Sequence, residues 1–177
     1  MAALGDALLR SLIERGLAIQ GLIAPELQIQ PAGVELTLAK IFRLKGAGCV
    51  DLTNERRRVP EGEEIPFNEG GYVDLGPGAY RVLFNEIVRV PPDCIAIGLP
   101  RSTLIRSGAT VLTALWDPGY VGRSQALLVV FNEHGIRLYK NARLLQLVFI
   151  KVEGCTRTYS GAYQGEGLGE ARGASMR

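Results

Sequence analysis

The first hydrophobic pattern in the chain has helical spacing. Between residues 4 and 15, large aliphatic side chains recur every three or four positions, and Gly16 then supplies a stop signal. Those aliphatic positions are Leu4, Leu8, Leu9, Leu12 and Ile13. The pattern predicts a short N-terminal amphipathic helix that packs on the body of the protein or on a neighbouring subunit.

From residue 29 onward the pattern changes to short β-rich stretches separated by turn signals. Sequences such as Gly76-Pro77-Gly78 and Asp117-Pro118-Gly119 supply the backbone angles of tight turns. The predicted strands are Val34–Leu38, Ile41–Leu44, Tyr72–Leu75, Ala79–Val90, Cys94–Leu99, Thr110–Trp116, Gln125–Phe131 and Leu144–Val152. Many short strands behind one helix predict a mainly β fold, which we expect to be a distorted β-barrel or jelly roll.

Chain length and composition fit a single globular domain. The 177 residues are 47% apolar and 21% charged, which is enough to form a hydrophobic core. Residues 1–158 are predicted to form the barrel domain with its N-terminal helix. Residues 159–177 are rich in glycine and are predicted to form a flexible C-terminal arm, either a frayed end or a lid that carries aromatic side chains over a ligand.

Charge, cysteine and histidine content exclude several classes of protein. The net charge of +2 comes without a basic tract, so we expect no nucleic-acid partner. No apolar stretch has the length of a membrane span, so we expect no membrane partner. The three cysteines are scattered, which indicates reduced thiols in a cytoplasmic protein. The single histidine, His134, lies in a turn-like stretch and leaves almost nothing from which to build a histidine zinc site or a Ser-His-Asp triad.

One stretch, Pro100 to Gly108, concentrates groups that bind phosphate. It reads Pro-Arg-Ser-Thr-Leu-Ile-Arg-Ser-Gly, so that Arg101 and Arg106 flank the hydroxyl groups of Ser102 and Thr103. Arginine forks match phosphate oxygens, and hydroxyl and backbone N–H groups complete such a cradle. The stretch predicts a phosphate site; the alternative is a plain helix start with Ser102 as its cap.

Two further motifs place polar side chains beside apolar strands. Asp117 and Tyr120 belong to the sequence Asp-Pro-Gly-Tyr, where the acid can orient or deprotonate a water and the ring can stack on a base or sugar. Taken alone, these four residues are an ordinary β-turn. Gln146 interrupts the apolar strand that begins at Arg143, and its amide needs a backbone carbonyl, a phosphate or a water as partner.

Together and in order, these motifs resemble those of the trimeric dUTPase and dCTP deaminase superfamily. The resemblance extends over nearly the whole chain, and the opening helix is similar to the start of the dCTP-deaminase-like branch. The matching stretches are residues 30–36, 75–80, 100–108, 117–122, 143–148 and 163–165. The resemblance implies a dUTPase-like β-clip barrel, a homotrimer with active sites between subunits, and a deoxypyrimidine triphosphate bound with Mg²⁺.

Within this superfamily the residues favour hydrolysis over deamination. By resemblance, deamination uses a glutamate on the strand after the aspartate motif, yet no Asp or Glu lies between Pro118 and Asn132. The ligands of zinc deaminases, His-x-Glu and Pro-Cys-x-x-Cys, are missing as well. The resemblance therefore indicates a dUTP diphosphatase of the dCTP-deaminase-like type, which converts dUTP and water to dUMP and pyrophosphate.

The same resemblance implies roles for individual residues. Asp117 orients a water for in-line attack on the α-phosphorus, and Tyr120 packs against the deoxyribose where a ribose hydroxyl has no room. Backbone groups of residues 110–115 read most of the uracil. Mg²⁺ spreads the triphosphate charge and is held mainly through the triphosphate and water. The expected substrate contacts are Arg101, Ser102, Thr103, Leu104, Arg106, Tyr120, Gln146, Tyr163 and Gln164.

Three features depart from the family pattern. Glu35 stands where an aspartate is commoner, Ala162 replaces a phosphate-binding lysine, and the arm lacks the arginine and phenylalanine of ordinary trimeric dUTPases. Triphosphate affinity must then come from elsewhere. Two alternatives stay open: a dCTP deaminase, alone or coupled to dUTP hydrolysis, and a nucleotide-binding regulator that has lost its catalytic chemistry.

Overall fold

Residues 2–169, which the computed structural model describes, form thirteen strands and three short helices. The helices are α1 (Asp6–Glu14), α2 (Pro25–Gln28) and α3 (Ser102–Arg106). The strands are β1 (Ile19–Gln20), β2 (Ile29–Gln30), β3 (Gly33–Lys45), β4 (Glu61–Ile65), β5 (Tyr72–Leu75), β6 (Gly78–Phe84), β7 (Ile87–Arg89), β8 (Cys94–Pro100), β9 (Ala109–Leu112), β10 (Val121–Gly122), β11 (Gln125–Val130), β12 (Ile136–Tyr139) and β13 (Arg143–Lys151). None of the described helices is long and apolar enough to cross a membrane.

Strand β3 pairs with four other strands and lies at the centre of the largest sheet. The main path of that sheet runs β8-β13-β3-β6-β11-β9, and β2 and β4 also pair with β3. A bridge between Ala96 of β8 and Trp116 brings the two outer edges together. The sheet therefore closes nearly into a barrel, which confirms the predicted mainly β architecture.

Alternation along the strands fills the barrel with aliphatic side chains. On β11, Ala126, Leu128 and Val130 are buried, while the residues between them point to the opposite face. Phe84 and Phe149 are the largest of the side chains that are fully buried. The outer face of β11, which carries Gln125, borders the candidate site.

The predicted N-terminal helix is present and packs on its own chain. Helix α1 buries Leu9 completely, and Leu12 and Ile13 pack against the core. Leu4 precedes the helix and donates its N–H to the carbonyl of Phe149 at 2.9 Å. The helix is therefore shorter than the predicted range of residues 4–15, because its first residues extend alongside β13.

Several strand boundaries differ from the prediction. The two strands predicted at 34–38 and 41–44 are one strand, β3, with an irregularity between Leu38 and Lys40. The strand predicted at 79–90 divides into β6 and β7 around Asn85 and Glu86. Glu86 is completely buried there, and its carboxylate accepts hydrogen bonds from the backbone and hydroxyl of Thr37. A long-range polar contact thus overrides the local β propensity.

Strand β4 has a sequence, Glu-Gly-Glu-Glu-Ile, that carries no strand signal. It pairs with β3, and Lys40 and Lys45 of that strand form ion pairs with Glu64 and Glu63 at 2.8 and 2.7 Å. The predicted arm, residues 159–177, is described as far as Gly169 and folds into turns against the barrel. Residues 170–177 of that prediction lie outside the described residues.

Candidate active site

A buried carboxylate at one end of β8 lies between two arginines. Arg101 Nε donates to Glu35 Oε1 at 2.6 Å, and Arg143 Nη1 lies 2.8 Å from Oε2. The second contact is an ion pair without hydrogen-bond geometry, because Arg143 Nη1 donates to the carbonyl of Leu27. The Glu35 side chain is only 7% exposed. Its charge is balanced within the chain, as a buried carboxylate requires.

Strand pairing brings this group together. Glu35 on β3 lies in register with Gln146 on β13, and Leu145 of β13 lies in register with Pro100, which precedes Arg101. Gln146 Nε2 donates to the carbonyl of Ala32 at 3.2 Å. Of the partners expected for this amide, the structure supplies the backbone carbonyl.

The phosphate motif forms the short helix α3, which starts after Arg101. Arg101 occupies the N-cap position, and no side chain caps the helix, so the alternative with Ser102 as the cap is wrong. Ser102, Thr103 and Arg106 are exposed. Leu104 is 5% exposed and packs in the core, so its side chain is not available to a substrate and only its main chain is.

A second group of predicted residues lines a cavity of about 520 Å³ at the other end of β8. Asp117, Tyr120 and Tyr163 all border it. The complete lining is Val59, Arg81, Ala114, Leu115, Trp116, Asp117, Tyr120, Ser124, Gln125, Tyr159, Tyr163 and Glu166. Its volume and aromatic walls suit a nucleoside-sized ligand. Within residues 2–169, no ion pair or side-chain hydrogen bond engages the Asp117 carboxylate.

A directed series of hydrogen bonds forms one wall of this cavity. Trp116 Nε1 donates to Ser124 Oγ at 2.7 Å, Ser124 Oγ lies 3.2 Å from the Tyr120 hydroxyl, and that hydroxyl donates to Glu166 Oε1 at 2.8 Å. The Tyr159 ring packs edge-on against Tyr120 with centroids 5.6 Å apart. Every polar group in the series has a partner within the chain, so the wall forms without a ligand.

Burial changes the pKa of two members of this series, Tyr120 and Glu166. Removal from water raises the pKa of the Tyr120 hydroxyl, so it stays a donor at physiological pH. Burial also raises the pKa of the Glu166 carboxyl, and the hydrogen bond from Tyr120 opposes that rise. The wall thus presents a neutral phenol held by a carboxyl group.

The described part of the arm is bound to the Asp-Pro-Gly-Tyr turn of its own chain. The Gln164 side chain donates to the carbonyl of Gly119 and accepts from the N–H of Val121, both at 2.9 Å. Backbone bonds from Tyr159 to Pro118 and from Gly165 to Val121 flank it. Gln164, predicted as a substrate contact, therefore binds the turn that carries Asp117 and Tyr120.

One chain does not bring the two groups together. Asp117 follows Trp116, which bridges Ala96, whereas Arg101 lies five residues farther along the same strand line. At about 3.3 Å per residue, this places Asp117 about 16 Å or more from Arg101. The chain thus contains two half-sites, one cationic and one aromatic with a carboxylate.

Sequence reasoning missed several residues of the cavity. Glu166 stands two positions after Gln164 and offered a weak signal as the acid of a glycine-rich arm. Arg81 and Val59 offered none, because only the pairing of β6 with β3 and the course of the preceding loop bring them to the cavity.

The residues present fit a Mg²⁺ that arrives on a triphosphate. No three His, Cys, Asp or Glu side chains converge as metal ligands among residues 2–169. Glu35 is committed to two arginines, which leaves Asp117 as the carboxylate available beside the cavity. Mg²⁺ is commonly held by one or two carboxylates together with substrate phosphates and water.

Comparisons with known proteins agree with the sequence motifs. The family model described as dCTP deaminase-like matches residues 3–152. A protein of Archaeoglobus fulgidus named "Probable deoxyuridine 5'-triphosphate nucleotidohydrolase" is 48% identical over 168 residues, which cover 95% of this chain and 99% of that protein. The Methanocaldococcus jannaschii protein named "Deoxyuridine 5'-triphosphate nucleotidohydrolase" is 39% identical over 142 residues, or 79% of this chain and 89% of that protein.

The fold is shared with a solved structure. The crystal structure of 2'-deoxycytidine 5'-triphosphate deaminase from Agrobacterium tumefaciens superposes with a TM-score of 0.63 at 21% identity. The alignment covers 83% of this chain and 47% of that one, so this chain spans about half its length. The likeness concerns the fold.

Proposed function

We propose a dUTP-hydrolysing function from the premise that this chain belongs to the dCTP deaminase-like family. The proposed reaction converts dUTP and water to dUMP and pyrophosphate, which makes the protein a dUTP diphosphatase of nucleotide metabolism. The names of relatives 48% and 39% identical support this choice of substrate.

One observation of the structure carries the choice of hydrolysis over deamination. Of the two carboxyl groups that line the cavity, Glu166 is engaged by the Tyr120 hydroxyl, so Asp117 is the one free to act on water. The outer face of β11, next to the cavity, presents Gln125, Leu127 and Val129 and no acid. An acid on that strand is what deamination in this family requires by resemblance.

In this mechanism Asp117 accepts a hydrogen bond from the attacking water and orients it toward the α-phosphorus. Tyr120, fixed by Ser124 and Glu166, provides a flat wall for the deoxyribose. Arg101, Ser102, Thr103, Arg106 and Gln146 bind the phosphate oxygens, with Leu104 contributing its main chain. Bound Mg²⁺ would spread the charge of the triphosphate.

The two half-sites support a homotrimer with active sites between subunits. A separation of about 16 Å between Asp117 and Arg101 leaves each half-site without its complement in one chain. A neighbouring copy that docks its α3 beside the cavity completes both. The closed symmetry of a trimer gives every subunit one donated and one received half-site.

We place this activity in the cytoplasm. All three cysteines, Cys49, Cys94 and Cys155, are free thiols, as the reducing environment there requires.

The reaction is tested by incubating purified protein and Mg²⁺ with dUTP and, separately, with dCTP. Pyrophosphate and ammonia are assayed in parallel. Pyrophosphate from dUTP alone is the expected result. Ammonia from dCTP would assign deamination, and neither product would identify a nucleotide-binding regulator.

The assembly is tested by mixing two inactive variants, Asp117→Asn and Arg101→Ala, after subunit exchange. Each intersubunit site needs one intact aspartate and one intact arginine from different chains, so about a quarter of the sites should regain activity. Mixtures that stay inactive after confirmed exchange would assign each site to a single chain.

A further inference from the structure

Arg81 is a cavity residue that the proposed mechanism does not use. It lies on β6, in register with Phe42 on β3 and with Leu127 on β11. Its side chain leaves the outer face of the sheet, is partly buried, and borders the cavity that contains Asp117 and Tyr120.

The protein holds this guanidinium in a fixed position. It stacks over the Phe42 ring at 5.1 Å from the centroid. A Cβ at Gly62 of β4 would collide with Arg81 Nη2 and would lie 2.9 Å from Phe42 Cβ, so the glycine makes room for the arginine. The contact of Nη1 with the carbonyl of Pro60 is long, at 3.5 Å. Stacking and shape, rather than hydrogen bonds, set the orientation.

Apart from the long contact of Nη1 with Pro60, the donors of Arg81 have no hydrogen-bond partner among residues 2–169. Its Nε is buried without a hydrogen-bond acceptor, and no carboxylate of residues 2–169 lies within ion-pair distance of the guanidinium. Arg101 and Arg143, in contrast, share Glu35. On β11 the residue in register with Arg81 is Leu127, which brings no counter-charge. The Nη groups of this arginine, at the wall of the cavity, thus have donors to offer to an acceptor on a ligand.

The other residues that line the cavity indicate which part of a nucleotide binds there. The cavity walls are the rings of Trp116, Tyr120 and Tyr159 together with the carboxyl groups of Asp117 and Glu166. This lining suits a flat, uncharged base and disfavours a triphosphate, whose arginines lie at the other end of β8. Arginine only donates hydrogen bonds, uracil offers carbonyl acceptors at C2 and C4, and cytosine replaces the C4 carbonyl with an amino donor.

We propose that Arg81 donates a hydrogen bond to the C4 carbonyl oxygen of uracil and thereby selects deoxyuridine over deoxycytidine nucleotides. The inference rests on the proposed function and adds a base-reading side chain to the backbone contacts expected from residues 110–115. With cytosine, the amino group and the guanidinium would face each other as two donors, and neither would find an acceptor. A site built to hydrogen-bond its substrate disfavours such a ligand strongly.

The test measures binding of the non-hydrolysable analogues α,β-imido-dUTP and α,β-imido-dCTP by calorimetry. Arg81→Met should weaken binding of the dUTP analogue by about 10- to 100-fold. It should change binding of the dCTP analogue little, so that the preference between them collapses. Arg81→Lys keeps the charge without the fork and should retain part of the preference. The matched control is Arg43→Met, an exposed arginine on β3 away from the cavity.

Two results would overturn the assignment. An unchanged ratio of the two affinities in Arg81→Met would remove Arg81 from base recognition. Equal weakening of both analogues, together with weaker competition by inorganic tripolyphosphate, would place the guanidinium on the phosphates instead. Because the assay measures binding, its result is separate from whether the wild-type protein hydrolyses dUTP, and the Lys variant gives the same readout if the Met variant fails to fold.

Discussion

Glu35 and Asp117 are carboxylates near opposite ends of the same strand, β8, and the chain treats them in opposite ways. Glu35 is 7% exposed and lies between Arg101 and Arg143. Asp117 borders an open cavity, and no described residue pairs with it. One charge is neutralised inside the chain, whereas the other faces the cavity.

This contrast separates a positioning role from a chemical one. A carboxylate held by two arginines fixes those arginines and has little freedom to act on water. An unpaired carboxylate beside aromatic walls is free to accept a proton or orient a solvent molecule. The departure from the family pattern at residue 35 therefore concerns the geometry of the Arg101 motif, and residue 117 keeps the catalytic role that we propose for it.

Replacing Asp117 should break the contrast most severely. Asp117→Asn should lower kcat for pyrophosphate release by about 10²- to 10⁴-fold, because the amide no longer accepts the proton of the attacking water. Binding of α,β-imido-dUTP and the urea midpoint should stay near wild type, since the carboxylate supports no other described contact. Steady-state kinetics and calorimetry measure both quantities. The matched control is Asp93→Asn, an exposed acid paired with Lys151, and an unchanged kcat in Asp117→Asn would remove Asp117 from catalysis.

Replacing Glu35 should affect the stability of the fold more than the catalytic step. Glu35→Gln leaves Arg101 and Arg143 without their shared anion and should lower the free energy of unfolding by about 3 kcal/mol. This is the lower end for a broken buried pair, because both arginines keep partial access to water. Urea unfolding measures the change, with Glu35→Asp as the charge-preserving control. A stability equal to wild type would show that the pair is not a structural requirement.

Removing the Tyr120 hydroxyl should loosen the arm. Tyr120→Phe keeps the ring but deletes the donor to Glu166 and should cost about 1 kcal/mol in arm docking. The faster cleavage of residues beyond Tyr159 in limited proteolysis reports this change. Tyr139→Phe, an exposed tyrosine on β12, serves as the control. Equal cleavage rates in both variants would show that the hydroxyl does not hold the arm.

Docking of the arm should also depend weakly on pH. Burial raises the pKa of Glu166 above its ordinary 4.5, so the folded state binds this proton more tightly than the unfolded state. The resulting stabilisation is full below about pH 4.5 and is lost as pH rises through the raised pKa. Proteolysis of the arm should therefore slow on acidification from pH 7 toward pH 5, and Glu166→Gln should abolish that slope. Burial raises the pKa of Glu86 as well, so global melting would combine the pH dependence of both carboxyl groups. Proteolysis of the arm is therefore the better readout for Glu166.

The sequence predicted those elements that are set by local periodicity. Leu9 and Ile13 marked α1, and the alternation of residues 125–130 marked β11, because each pattern lies within one element. The polar strand β4 escaped prediction, since ion pairs to β3 compensate for its sequence. The motif residues 101, 117 and 120 were singled out by residue type and spacing and then by resemblance to a family, and neither signal depends on knowing the pairing of strands.

The contacts that define the half-sites depended on register and were not predictable. Glu35 and Arg101 are 66 positions apart, and only the pairing of β3 and β8 with β13 brings them together. Arg81 reaches the cavity through its register with Phe42 and the gap at Gly62. The partner of Glu35 and the position of Arg81 depend on contacts between residues far apart in the sequence. A short stretch of sequence therefore does not predict them.

The seam between the two ends of the chain has a consequence for synthesis. Ala3 bridges Ile150, and β3 pairs with β13. Both N-terminal segments therefore pair with residues that are synthesised more than a hundred positions later. On the ribosome, one edge of β3 therefore lacks its partner strand until β13 has left the exit tunnel. Such non-local pairing slows folding and leaves an apolar strand edge exposed to other chains until β13 pairs with it.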